Sequence, residues 1–225
     1  PVPKKATLLT GGIDTQDDRI EASVWAWGPG EECWLVEHIV IHGDLSNSTT
    51  KKAVEKHLAE KTYKRVDGLT MDVIRWCWDA MGHKTDDVYL MSRRLNTLKF
   101  IPIQGANKYG KPIATMPKKK TIKKVYLTTI GTDNAKALIY SRLKKSYDSS
   151  LPINEGYIHF PADESVCSDE YFKQLCSANK KLETHDGKQV YRWVKSYTFD
   201  EALDCWIYAY AALRISMDRF YARLD

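Results

Sequence analysis

Between Ile20 and Trp27 apolar residues recur at every second position, as Ile20, Ala22, Val24 and Ala26. A period of two is the spacing of a β-strand that buries one face. Strand-like runs flank this segment over residues 7–14 and 33–41, and Gly28-Pro29-Gly30-Glu31 separates the second run from the third with the composition of a tight turn. Strands joined by connections this short are predicted to form an antiparallel meander.

Beyond the meander the pattern alternates. Asn47 or Ser48 is placed to cap a helix to about residue 61, with Ala53, Val54, His57 and Leu58 on one face. Residues 70–79 then read as a strand (Val73, Ile74, Trp76, Trp78), and Thr85 as the cap of a helix to about residue 95. Strands are predicted over 98–103, 125–130 and 157–160. Helices are predicted from Thr132 or Asp133 to about 144, from Ser168 or Asp169 to about 179, and over 199–221, with a hairpin over 182–194 turning at Asp186-Gly187. Strand–helix alternation implies a parallel component, hence an α/β fold with a mixed sheet flanked by helices. Residues 1–5 read as the remnant of a linker and 6–225 as one domain.

Composition bounds the functional classes. With 43% hydrophobic residues the chain can bury a sizeable core, and the formal net charge of +5 permits a polyanionic partner without requiring one. No run approaches the roughly 20 apolar residues of a membrane span, and no signal-peptide pattern opens the chain, which reads as soluble and intracellular. Five scattered cysteines lack any Cys-x-x-Cys pair or zinc spacing. The seven tryptophans fall mostly in predicted strands and the last helix, as core residues do.

Acidic residues carry the chemical signal. Asp14 closes the first strand and Asp79 closes the strand Ile74-Arg75-Trp76-Cys77-Trp78, so their carboxylates converge if the two strands are neighbours. The last helix opens Asp200-Glu201-Ala202-Leu203-Asp204, which puts Glu201 and Asp204 on one face, a turn apart. Hard oxygen donors of this kind suit Mg2+ or Mn2+, and two such ions about 4 Å apart suit in-line phosphodiester displacement. Each residue also has an ordinary reading: Asp14 and Asp79 as turn formers, Asp200 and Glu201 as partners of a helix dipole. The conjunction in this chain order is the arrangement of ribonuclease H-like nucleases.

Residues 104–124 are predicted to form a long functional loop. Gly105 to Pro112 nearly match the phosphate-loop pattern, but Pro112 stands where a hydroxyl is needed and Pro117 forbids the following helix, so no nucleotide site is expected. Lys108, Lys111, Lys118, Lys119, Lys120, Lys123 and Lys124 are candidates to track a DNA backbone, or simply a solvated surface, and Lys111 is a candidate to stabilise charge on a scissile phosphate. The histidines form no constellation; His83 is the one nearest the proposed acids in sequence.

At these residues the chain resembles the C-terminal nuclease domain of the terminase large subunit of lambda-type tailed phages. The matching stretches run in order from Gly12-Ile13-Asp14-Thr15-Gln16-Asp17-Asp18-Arg19 through Cys77-Trp78-Asp79, Ile101-Pro102-Ile103-Gln104-Gly105-Ala106 and Tyr109-Gly110-Lys111-Pro112. They continue to His159-Phe160-Pro161 and Glu201-Ala202-Leu203-Asp204-Cys205, so the similarity covers nearly the whole chain. The resemblance implies a ribonuclease H-like fold and a metal-dependent endonuclease, using two Mg2+ or Mn2+ ions, that cuts concatemeric viral DNA during genome packaging in the host cell cytoplasm. It implies Asp14, Asp79 and Glu201 as metal-binding acids, Asp204 as an additional or substitute ligand, and Lys111 as a basic residue beside the site. Implied partners are double-stranded DNA, an N-terminal packaging ATPase domain of the same polypeptide, the small terminase subunit and the portal protein of the procapsid. Two rival readings are a Holliday-junction resolvase or transposase-like nuclease of the same fold, and a non-catalytic docking module for DNA or the motor.

Overall fold

The computed structural model describes residues 1–106, 110–185 and 188–220. The predicted meander is present as β1 (Leu8–Thr15), β2 (Arg19–Trp27) and β3 (Cys33–His42), paired antiparallel. There follow α1 (Ser48–Val54), continued by a π-helical turn over Glu55–Ala59, then β4 (Thr62–Lys64), β5 (Thr70–Asp79), α2 (Thr85–Leu95), β6 (Phe100–Gly105) and β7 (Thr128–Ile130). The chain goes on through α3 (Thr132–Arg142), β8 (Ile158–His159), α4 (Asp169–Leu175), the hairpin strands β9 (Ala178–His185) and β10 (Lys188–Lys195), and α5 (Glu201–Phe220).

The main sheet runs β7-β6-β5-β1-β2-β3-β8, with β4 added to β5. β5, β6 and β7 continue parallel from β1, on the side away from the meander. An antiparallel meander on one side of β1 and parallel strands on the other make the mixed sheet expected from the sequence. The alternation sorts side chains between two layers. Ile13, Ile20, Ala22, Val24, Trp76 and Trp78 pack against α1 and α2, whereas Trp25, Trp27, Cys77 and Ile103 pack with α3, α4 and α5. Trp25, Trp27, Trp76, Trp78 and Trp206 are fully buried, as core residues.

α5 lies directly on the sheet because β1 has no side chain at Gly12. A Cβ there would fall 2.0 Å from the carbonyl oxygen of Cys205. Thr10 Oγ1 donates to the carbonyl of Ala209 at 2.7 Å and accepts from Trp27 Nε1 at 2.7 Å, tying β1, β2 and α5 together.

Several boundaries differ from expectation for local reasons. β4 has no counterpart among the predicted strands, because three residues are too short to show a period. β6 begins at Phe100 rather than 98, since the backbone N–H groups of Leu98 and Lys99 turn back to Asn96 Oδ1. α4 stops at Leu175 and the hairpin starts at Ala178, because Ser196 binds the Ser177 carbonyl and the Tyr140 hydroxyl binds Ala178 N. Thr85 is the first residue of α2 and not its cap; its hydroxyl donates to the carbonyls of Ala80 and Gly82, fixing the turn after β5. Ser168 caps α4 as expected. The Asp186-Gly187 turn lies outside the described residues, as does residue 221. Among the described residues no helix is long and apolar enough to cross a membrane.

Candidate metal centre

β1 and β5 are parallel neighbours with Ile13 opposite Trp78, so the next residue of each strand, Asp14 one short of the end of β1 and Asp79 at the end of β5, lies at the same sheet edge. Ile13 and Trp78 point to the α1/α2 layer; by strand alternation both aspartates point to α5. Glu21 lies opposite Asp14 across β1 and β2 and faces the same way. Since α5 rests on Gly12, its first turn brings Glu201 and Asp204 to this edge.

All four acids are short of water. Burial pushes the Asp14 carboxyl up to about 7, with the charges of Asp79, Glu201 and Asp200 adding to the rise and a hydrogen bond from Gln16 Nε2 opposing it. Burial likewise raises Asp79 to about 6, against the backbone N–H groups of Met81 and Ala80. Asp204 is held well above the ordinary carboxylate range by burial and by Asp200, Asp14 and Asp79, with Lys136 opposing. Burial also raises Glu201, helped by Glu21 and opposed by Arg19. Like charges driven together in a desolvated place favour either protons or a cation.

The acids are not equivalent. Glu201 Oε1 accepts from Arg19 Nη2 at 2.7 Å, while its Oε2 is buried without a hydrogen-bond partner. Arg19 Nε donates to Glu21 Oε1 at 2.7 Å, and His38 Nε2 stands 3.3 Å from Glu21 Oε2. Among the described residues no three Asp, Glu, His or Cys side chains surround a common point as ligands would. The arrangement is a convergence of carboxylates rather than a closed cage. Its oxygen-only donors, raised carboxyls and orphaned Glu201 Oε2 nevertheless fit a hard divalent ion.

The lysines divide. Lys111 is exposed at the sheet edge beside β7, where its carbonyl accepts from Asn134 Nδ2 at 2.7 Å and lies against Gly131. Lys118, Lys119, Lys120, Lys123 and Lys124 are exposed further along the loop. Lys123 Nζ reaches Asp86 Oδ1 at 3.1 Å and its carbonyl accepts from Arg93, which fixes this part of the loop on α2, in the layer opposite α5. Lys108 lies outside the described residues. His83 is exposed on the outer rim, 3.4 Å from Asp17 Oδ1.

Sequence reasoning missed Gln16, Arg19, Glu21 and His38. Arg19 and Glu21 do carry a signal: they are two charged residues at strand period at the start of a strand that holds no other charge.

Comparison with known proteins places the chain among its relatives. The terminase large subunit of Escherichia phage lambda is 41% identical over 225 residues, covering 100% of this chain and 35% of the relative. That of Enterobacteria phage P21 is 38% identical over 222 residues, covering 97% of this chain and 34% of the relative. The chain thus spans about a third of the length of the curated relatives it matches. A solved structure, the large terminase nuclease domain from the bacteriophage SPP1 with bound Mn, covers 90% of this chain and 85% of its own, with a TM-score of 0.45 and 11% identity. Residues 1–219 match the family described as terminase large subunit gpA, endonuclease domain, and with two relatives aligned along nearly its whole length the chain belongs to that family.

Proposed function

We propose that this chain is a divalent-metal-dependent endodeoxyribonuclease that cuts concatemeric viral DNA during genome packaging. The observation that carries the reading is the convergence of Asp14, Asp79, Glu201 and Asp204, acidic and desolvated, at one edge and on one face of the sheet. Two Mg2+ or Mn2+ ions held by these residues would supply water activation and stabilisation of the leaving oxygen.

The chain's own residues do the rest. β1 and β5 orient Asp14 and Asp79 rigidly, since both strands lie at the sheet centre. α5 presents Glu201 and Asp204 from the opposite side, which leaves the C-terminal sheet edge open to a DNA backbone. Lys111 at that edge neutralises charge on the phosphate undergoing attack, and the lysines of the following loop hold flanking phosphates. None of these contacts reads a base, so the choice of cut site comes from elsewhere. Hydrolysis leaves 5′-phosphate and 3′-hydroxyl ends.

In the complete polypeptide we assign the packaging ATPase to an N-terminal domain, with the small terminase subunit and the procapsid portal as partners and the host cytoplasm as the place of action. The test is nicking of supercoiled plasmid in Mn2+, Mg2+ or EDTA, with Asp14→Asn alongside. Metal-dependent nicking lost in the variant supports the nuclease. DNA binding that ignores metal and survives Asp14→Asn, without nicking, supports a docking module instead.

A further inference from the structure

The two oxygens of Glu201 have different surroundings. Oε1 is bonded to Arg19 Nη2, and Oε2 is buried and has no partner. Arg19 is itself held: Nε donates to Glu21 Oε1 at 2.7 Å, Nη1 to Asp18 Oδ1 at 3.0 Å, and the guanidinium lies 5.8 Å from the Phe199 ring centroid. A planar fork that spans two carboxylates fixes the angle between them, as a single ammonium cannot.

We propose that Arg19 is a positioning residue which, by occupying Oε1 of Glu201, leaves Oε2 as the one oxygen that Glu201 presents to a divalent cation. The proposal rests on the metal reading of the site. A buried carboxylate oxygen without a donor is costly unless something else pairs with it. Arg19 cannot be that partner for Oε2 while it holds Oε1 and Glu21.

A competing role for Arg19 is simple charge compensation of Glu21 and Glu201. The two roles predict opposite effects. Loss of a counter-charge makes the site more negative and tightens cation binding, whereas loss of an orienting outer partner weakens it, typically about 10–100-fold. Arg19→Lys keeps the charge and removes the fork, so it isolates orientation.

The experiment is calorimetric titration of Mn2+ into the 225-residue chain, its R19K and E201Q variants and the double variant, with thermal unfolding of each as the check on folding. The expected result is about tenfold or greater weakening by R19K, and no further weakening by R19K in the E201Q background. Unchanged or tighter binding by R19K, or a loss that persists in the E201Q background, would overturn the proposal. If R19K does not fold, Glu21→Ala removes the acceptor that anchors Arg19 Nε while leaving Glu201 intact; weakening that depends on Glu201 supports the proposal, and its absence refutes it. Failure of the unaltered chain to bind Mn2+ would overturn the metal reading and this proposal together.

Discussion

Gly12 of β1 and Cys205 of α5 stand so close that a single added carbon would lie 2.0 Å from the Cys205 carbonyl oxygen. The obstacle is helix backbone, which cannot rotate away as a side chain can. Gly12→Val is therefore expected to force α5 off the sheet and to cost about 3 kcal/mol or more. Denaturant unfolding measures the loss, and an unchanged midpoint would show that α5 is not seated on this residue.

Removing one acid of the convergence separates function from fold. Asp79→Asn should abolish plasmid nicking, since the amide is a poor ligand for a hard cation. The metal-free variant should melt no lower than the parent, because the substitution relieves crowding of like charge and keeps the side-chain shape. A variant that melts much lower would make Asp79 a structural residue first.

The lysines should separate in the same way. Lys111→Ala is expected to slow nicking at saturating DNA while leaving affinity nearly unchanged. Joint replacement of Lys119, Lys120 and Lys123 by Ala should mainly weaken binding, and should reduce the slope of log affinity against log salt by about 0.9 for each phosphate no longer neutralised. Equal effects of the two variants on rate and slope would remove the distinction.

Away from the site, Glu31 controls stability in acid. Burial works to raise its pKa, but the Tyr210 hydroxyl and the Arg142 and Arg214 guanidinium groups outweigh that and hold it below its usual value of 4.5. A carboxyl depressed by folding contributes stability above its unfolded pKa and loses it as pH falls through the folded value. The chain should thus lose stability below about pH 4.5, and Glu31→Gln should flatten that part of the profile. At pH 7 the same change should cost about 3 kcal/mol, since Arg142 is left buried without its charge partner. Thermal unfolding from about pH 3 to pH 7 tests both.

The legible parts of the fold were those with a local cause. The period-two run from Ile20, the Gly28 to Glu31 turn and the β-branched and aromatic residues before Asp79 each act through neighbours in sequence, and their strands formed where expected. β4 and the early start of β9 were illegible because they depend on pairing with residues elsewhere: β4 with β5, and β9 with β10 and the Tyr140 hydroxyl.

The same division holds at the site. The chain order of the acids, their strand-end and helix-start positions and the family resemblance are properties of the sequence alone, because each is set by residue type and short-range periodicity. Which acids meet, and on what terms, was decided only by tertiary structure. Arg19 and Glu201 are 182 residues apart, and nothing local marks them as partners. Their pairing exists because β1 lacks a side chain at Gly12, so that α5 descends onto the sheet and its first turn reaches the guanidinium at the start of β2. The lysines divide for a similar reason: the loop that carries them crosses from the α5 layer to the α2 layer, a path set by packing at the β7 edge and not by their spacing.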